Sequence, residues 1–108
     1  MKLDRNGYAP SILEGHDKFQ CYLCGGNGWG KLDRHEIFHG PFRAKSKALG
    51  LWVHLCHGDC HLNGVHKYGE IDHRLKLAGQ KAAMLEYGWT EDEFAAEFGR
   101  NYMPQSEP

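Results

Sequence analysis

The chain has 108 residues, 41% of them apolar and a quarter charged, with a net charge of −1. That length fits one domain whose core is marginal without a staple, and the composition excludes a disordered polymer. No run approaches the roughly 18 apolar residues of a membrane helix, and the net charge argues against strong non-specific nucleic-acid binding.

Residues 1–16 contain Gly7, Pro10 and Gly15 without a clear period and read as an extended arm with one turn. Lys18 to Cys24 alternates as a short strand, and Cys21-Tyr-Leu-Cys24-Gly-Gly then reads as a tight metal knuckle. Trp29 to Phe38 reads as a strand with Leu32, Ile37 and Phe38 as its apolar members, broken by His39-Gly-Pro. Phe42 to Leu49 is a basic loop or short helical turn. Leu51 to Cys56 is β-branched and aromatic, a strand running straight into Cys56. Residues 60–69 are punctuated by glycine. A helical period follows from about Glu70 to Tyr87 through Ile71, Leu75, Ala78, Ala82 and Leu85, with Gly88 as its stop. Thr90-Glu-Asp-Glu93 fits a capping box for a last helix carrying Phe94 and Phe98, ended by Gly99. Domain organisation is then an arm over 1–17, one domain over 18–102 and a flexible tail over 103–108.

The cysteines form two half-sites, Cys21 with Cys24 and Cys56 with Cys60. Structural zinc takes four such ligands in a tetrahedron, commonly from two knuckles brought together from distant points. The looser second knuckle leaves His57 or His61 as a substitute ligand. The chain opens on the polar Met1-Lys-Leu-Asp-Arg, unlike a secretory leader, so a cytoplasmic protein with reduced thiols is expected.

Four cysteines do not account for the histidines, seven of which fall within residues 35–73. Asp33-Arg-His35-Glu36 lies at the end of one strand, and His61 and His66 follow the other. Phosphodiester hydrolysis needs a water, a base to activate it and a cation to offset charge on phosphate and leaving oxygen. One histidine as base and two or three His or carboxylate ligands to a divalent ion meet that need.

Cys-x-x-Cys, then Arg-His-Glu-Ile-Phe-x-Gly, then Leu-Cys…Cys-His…Val-His resembles the HNH (ββα-metal) nucleases. More narrowly it resembles the small phage-encoded HNH proteins related to the phage recombination-enhancement nuclease. The later Leu-Lys…Gln, Phe-x-x-x-Phe-Gly and Gly-Arg-Asn-Tyr elements are similar to the same group, so the resemblance covers roughly residues 21–102. It implies an α+β fold, a small zinc-stapled ββα-metal core with a C-terminal helical extension, in a bacterial host cell. It implies a DNA endonuclease with structural zinc at Cys21, Cys24, Cys56 and Cys60, and Mg²⁺ or another divalent ion at His35, His61 and His66. The family's adjacent ligand and base match His35 and Glu36; His35 is the expected base, and Glu36 as base with His35 on the metal is the alternative. The usual pair is Asp-His or His-His, so His-Glu is a departure. His66 follows His61 by five residues rather than four, about 140° away on an ideal α-helix. The family's middle asparagine has no counterpart: Leu51 stands near its place and Asn63 is displaced.

Charge is uneven along the chain. Residues 31–76 carry eight Lys/Arg against five Asp/Glu, and residues 77–108 carry two against six. Arg43, Lys45 and Lys47, between the two strands, are the expected contacts to DNA phosphates, or else a solvated loop. Trp29 and Trp52 are of a type that stacks on bases, but a chain this short needs its tryptophans in the core. The competing reading is a zinc-stapled binding module without catalysis, for DNA or a protein. A thiol redox role for Cys21-x-x-Cys24 leaves the second cysteine pair idle.

Overall fold

The computed structural model describes residues 3–14, 20–26 and 31–104. Strands β1 (Leu32–Glu36) and β2 (Trp52–Cys56) pair antiparallel, with Leu32 opposite Cys56 and His35 opposite Val53. A 3₁₀ turn at Gly40–Phe42 and a short helix, α1 (Arg43–Ala48), join them. The basic stretch is thus helical rather than an open loop. Ser46 holds this connection shut from inside. Its buried hydroxyl accepts from Phe38 N at 3.1 Å and donates to Leu51 O at 2.6 Å, so two backbone groups are satisfied without water.

A two-stranded ribbon is marginal alone and must be packed to persist. Here both faces are covered. The N-terminal segment lies along β2, with Ser11 Oγ donating to Trp52 O at 2.7 Å and Trp52 Nε1 to Ala9 O at 2.7 Å. Gly50, at φ +75°, passes so close that an added Cβ would meet Pro10 O at 2.3 Å. Trp52 is accordingly a core residue; Trp29 lies outside the described residues.

The other face carries the helices α2 (Gly69–Tyr87) and α3 (Glu91–Phe98). Phe38 is the hub of the core, 4.6 Å from Phe98 and 5.3 Å from Phe94 between ring centroids. Such offset and tilted pairs add to the area they bury. The buried stripe of α2 is Leu75, Gly79, Gln80 and Ala83, whereas Leu85, expected on the core face, is 88% exposed. Close approach decides this. A Cβ on Gly79 would sit 3.0 Å from the Phe38 ring and 3.1 Å from Ile37, so α2 docks on its smallest residues.

Gly88 ends α2 in the left-handed region, and Thr90 starts α3 with both hydrogen bonds of a capping box. Buried Gln80 then ties down the chain after α3, donating to Asn101 Oδ1 and accepting from Tyr102 N. The strand expected over Lys18 to Cys24 is not seen in its described part: a hydrogen-bonded turn occupies Tyr22–Cys24, because the knuckle bends the backbone there. Among the described residues no helix is long and apolar enough to cross a membrane.

Candidate metal centres

The turn at Cys21 is built to point sulfur inward. Cys21 N donates to Gly26 O, Gly25 N to Cys21 O, and the N–H groups of Cys24 and Gly26 face the sulfurs of Cys21 and Cys24 at 3.5 Å. Gly25 takes φ +75°, a conformation that favours glycine. Tyr22 N donates to His54 O at 2.8 Å, which docks the turn against β2 near Cys56. All four sulfurs of Cys21, Cys24, Cys56 and Cys60 lie within 4.8 Å of one another. Cys24 and Cys56 are 3.9 Å apart, far too long for a disulfide and near the about 3.8 Å of a tetrahedron with 2.3 Å zinc–sulfur bonds. The cluster can hold a metal such as zinc.

Its electrostatics point the same way. Burial opposes the Cys21 thiolate, yet backbone hydrogen bonds with Cys24, Cys56 and Leu23 outweigh it and bring its pKa down to about 7. Burial pushes Cys56 and Cys60 up, Cys60 further because the other sulfurs crowd it. One thiolate is therefore welcome and four repel, unless a cation sits among them. His57 and His61 turn away from the sulfurs toward Asp33, so neither replaces a cysteine.

After Cys56 the chain runs as a π-helical segment (His57–Val65). This wide turn, with i→i+5 bonding, is what the spacing of His61 and His66 requires. His66 N donates to His61 O at 3.2 Å, and the two side chains fall on one side with Nε2 atoms 3.0 Å apart. Gly64 makes room for it, since a Cβ there would stand 3.0 Å from Asp59 O. The misalignment of about 140° expected on an α-helix is thereby removed.

Strand alternation supplies the rest. Asp33 and His35, two residues apart on β1, share the face turned toward this segment. Asp33 Oδ2 accepts from His57 Nδ1 at 2.7 Å and His61 Nδ1 at 2.8 Å, so His61 carries its proton on Nδ1 and turns an unprotonated Nε2 toward His66 Nε2, 3.0 Å away. His35, His61 and His66 each offer a nitrogen within 4.8 Å of the others. His35 Nε2 is buried with no hydrogen-bond partner. A buried orphan nitrogen demands a partner, and a metal ion is one. Burial, followed by the neighbouring His61, His66 and His39, lowers the His35 pKa to about 4, so the ring is neutral and fit to ligate at neutral pH.

A cavity of about 350 Å³ opens on the three histidines and is also lined by Tyr8, Glu36, His39 and Arg43. Glu36 is nearly buried. Tyr8 Oη donates to its Oε2 at 2.6 Å and Arg43 Nε to its Oε1 at 2.5 Å. Burial opposes its charge, but these two bonds outweigh it and hold the carboxyl below its ordinary range. Burial and this carboxylate raise the Tyr8 hydroxyl to about 12.

Of the three expected phosphate contacts, Arg43 and Lys47 stand on the site's side of α1. Lys45 is turned away, its Nζ 2.9 Å from Glu97 O and 3.3 Å from Glu97 Oε1. Leu51, near the place of the middle asparagine, is fully buried, and Asn63 is exposed on the π-helical segment. The sequence reading gave no role to three side chains that line the cavity, Tyr8, Arg34 and His39. Tyr8 lies in an arm with no period, Arg34 stood only as a position in the Arg-His-Glu segment, and His39 counted only among the crowded histidines and in the strand-breaking His-Gly-Pro. Comparison of the chain with family models, curated proteins and solved structures gives no match in any of the three.

Proposed function

We propose that the protein is a metal-dependent endonuclease of the HNH (ββα-metal) type that hydrolyses DNA phosphodiester bonds. The observation that carries this reading is the convergence of His35 from a strand end with His61 and His66 from the segment after β2. His35 Nε2 is the unpartnered atom among them. Three imidazole nitrogens suit zinc, manganese, nickel or cobalt better than magnesium, which prefers oxygen ligands and retained waters. Within the expected Mg²⁺ or other divalent ion, this donor set favours a transition ion. A divalent ion held there supplies Lewis acidity, lowering the pKa of water and offsetting charge on the phosphate and leaving oxygen.

A histidine nitrogen committed to an ion cannot also take a proton, so His35 is assigned as ligand and Glu36 as base. Glu36 is ionised at neutral pH, faces the same cavity, and receives the proton of the attacking water. Arg43 gives Nε to Glu36 and has its remaining N–H groups for a phosphate oxygen. Asp33 keeps His61 in the tautomer that ligates. Asp33→Asn is expected to weaken ion binding at the histidines by about 10- to 100-fold, read by competition titration, with the zinc at the cysteines retained.

The direct test is plasmid nicking across a series of divalent ions, beside elemental analysis. One tightly held zinc per chain and nicking stronger with manganese, nickel or cobalt than with magnesium are expected. The engagement of both Glu36 oxygens favours a second reading, a zinc-stapled nucleic-acid-binding module without catalysis. DNA binding with no cleavage under any ion would establish that reading instead.

A further inference from the structure

A second and wider cavity, of about 740 Å³, adjoins the histidine cavity: Tyr8, Arg34, Arg43 and His61 line both. Lys47 and His57 line the second cavity and not the first. Its cations are held in place rather than loose. The Arg34 guanidinium lies 4.2 Å over the centre of the Tyr8 ring, with Nη1 2.7 Å from Asp4 Oδ2. Lys47 Nζ lies 4.7 Å from the centre of the same ring. An aromatic platform of this kind orders cationic side chains before a ligand arrives and lowers the entropy lost on binding.

The charges in the cavity are not equivalent. Arg34 and Arg43 each give one nitrogen to a carboxylate and have others left over. Asp33 is satisfied by His57 and His61. Among the described residues Lys47 pairs with no carboxylate. A wide, polar space whose one unmatched cation stands beyond the hydrolytic cavity suits a repeating anion that enters both spaces at once.

We infer that this second cavity is a flanking-phosphate subsite, in which Lys47 and Arg34 hold a phosphate next to the scissile one on the same polynucleotide strand. The inference rests on the nucleic-acid part of the reading above and adds what that reading lacks: recognition of a polymer rather than of an isolated diester. Arg43, on the seam between the cavities, contacts the strand as it passes from one to the other.

Binding can be measured without chemistry on a His66→Ala background, which removes an exposed ligand and leaves the core untouched. The probe is a fluorescein-labelled 12-nucleotide single-stranded DNA, titrated by anisotropy between 50 and 200 mM NaCl. Each phosphate contact contributes about 0.7 to the slope of log affinity against log salt for a single strand. Lys47→Met is expected to make that slope shallower by about 0.7, and Lys47→Arg to restore it. Lys45→Met loses the same charge on the side facing Glu97 and is expected to leave the slope unchanged. Equal slopes for the Lys47 and Lys45 variants, or no binding at 50 mM salt, would overturn the subsite. Nicking by the wild-type protein with an unaltered Lys47→Met slope would sink this inference alone. A normal slope change without nicking in any ion would sink only the hydrolytic reading.

Discussion

Cys56→Ser is expected to leave the protein without a cooperative melting transition. Cys56 is the hinge of the architecture: it closes β2, opposes Leu32 in the sheet, and opens the π-helical segment. Its sulfur is buried against those of Cys21, Cys24 and Cys60. Zinc held by small domains contributes roughly 10–16 kcal/mol of apparent binding free energy, as large as the whole stability of an ordinary domain, about 5–15 kcal/mol. The sheet gains little by itself, because five residue pairs make a ribbon that depends on what covers it. Loss of one thiolate would therefore remove such a staple and leave three sulfurs crowded together, that of Cys60 pushed up by burial and by its neighbours. Far-UV circular dichroism during heating, with elemental analysis, checks it. A variant that melts cooperatively within a few degrees of the wild type would show that the sulfurs are not a metal clamp.

His35→Ala is expected to reduce plasmid nicking at least about 100-fold while zinc stays at one per chain. The nitrogen removed is the buried unpartnered one, so the substitution deletes a ligand without breaking a hydrogen bond at that atom. A pH signature accompanies the loss. His35 has a pKa of about 4 in the fold against 6.5 when unfolded, chiefly through burial. Between those values only the unfolded chain takes the proton, so stability conferred by the metal-free fold falls as pH drops from about 6.5 toward 4. The alanine variant lacks this component, and its stability should fall less over that window in urea melts without added ion. Nicking that survives the substitution would remove the histidine cluster from the chemistry. A pH dependence identical to the wild type would mean that residue 35 is not held neutral by burial.

Much of the fold was legible because its signals are local. The strand character of residues 51–56, the capping box at Thr90 and the glycine stops at 88 and 99 depend on neighbours within a few residues, and β1, β2, α2 and α3 lie close to where those signals put them. The cysteine half-sites were equally plain, since ligand type and spacing are written along the chain. The core face of α2 was less so. Counting apolar residues favoured Leu85, but the helix docks through Gly79 and Ala83 because the Phe38 and Ile37 side chains demand backbone approach.

The site divides in the same way. From residues alone came the chemistry on offer: thiols in pairs, imidazoles near a strand end, a carboxylate beside one of them, cations between the strands. Tertiary structure decided which of these meet. A π turn, opened by Gly64, swings His66 over His61; the pleat of β1 puts Asp33 and His35 on one side; the N-terminal segment brings Tyr8 to Glu36; and α1 sends Lys45 and Lys47 in different directions. Side-chain type is a property of the chain, whereas direction depends on backbone path and on what is already packed nearby, and only the folded molecule contains those.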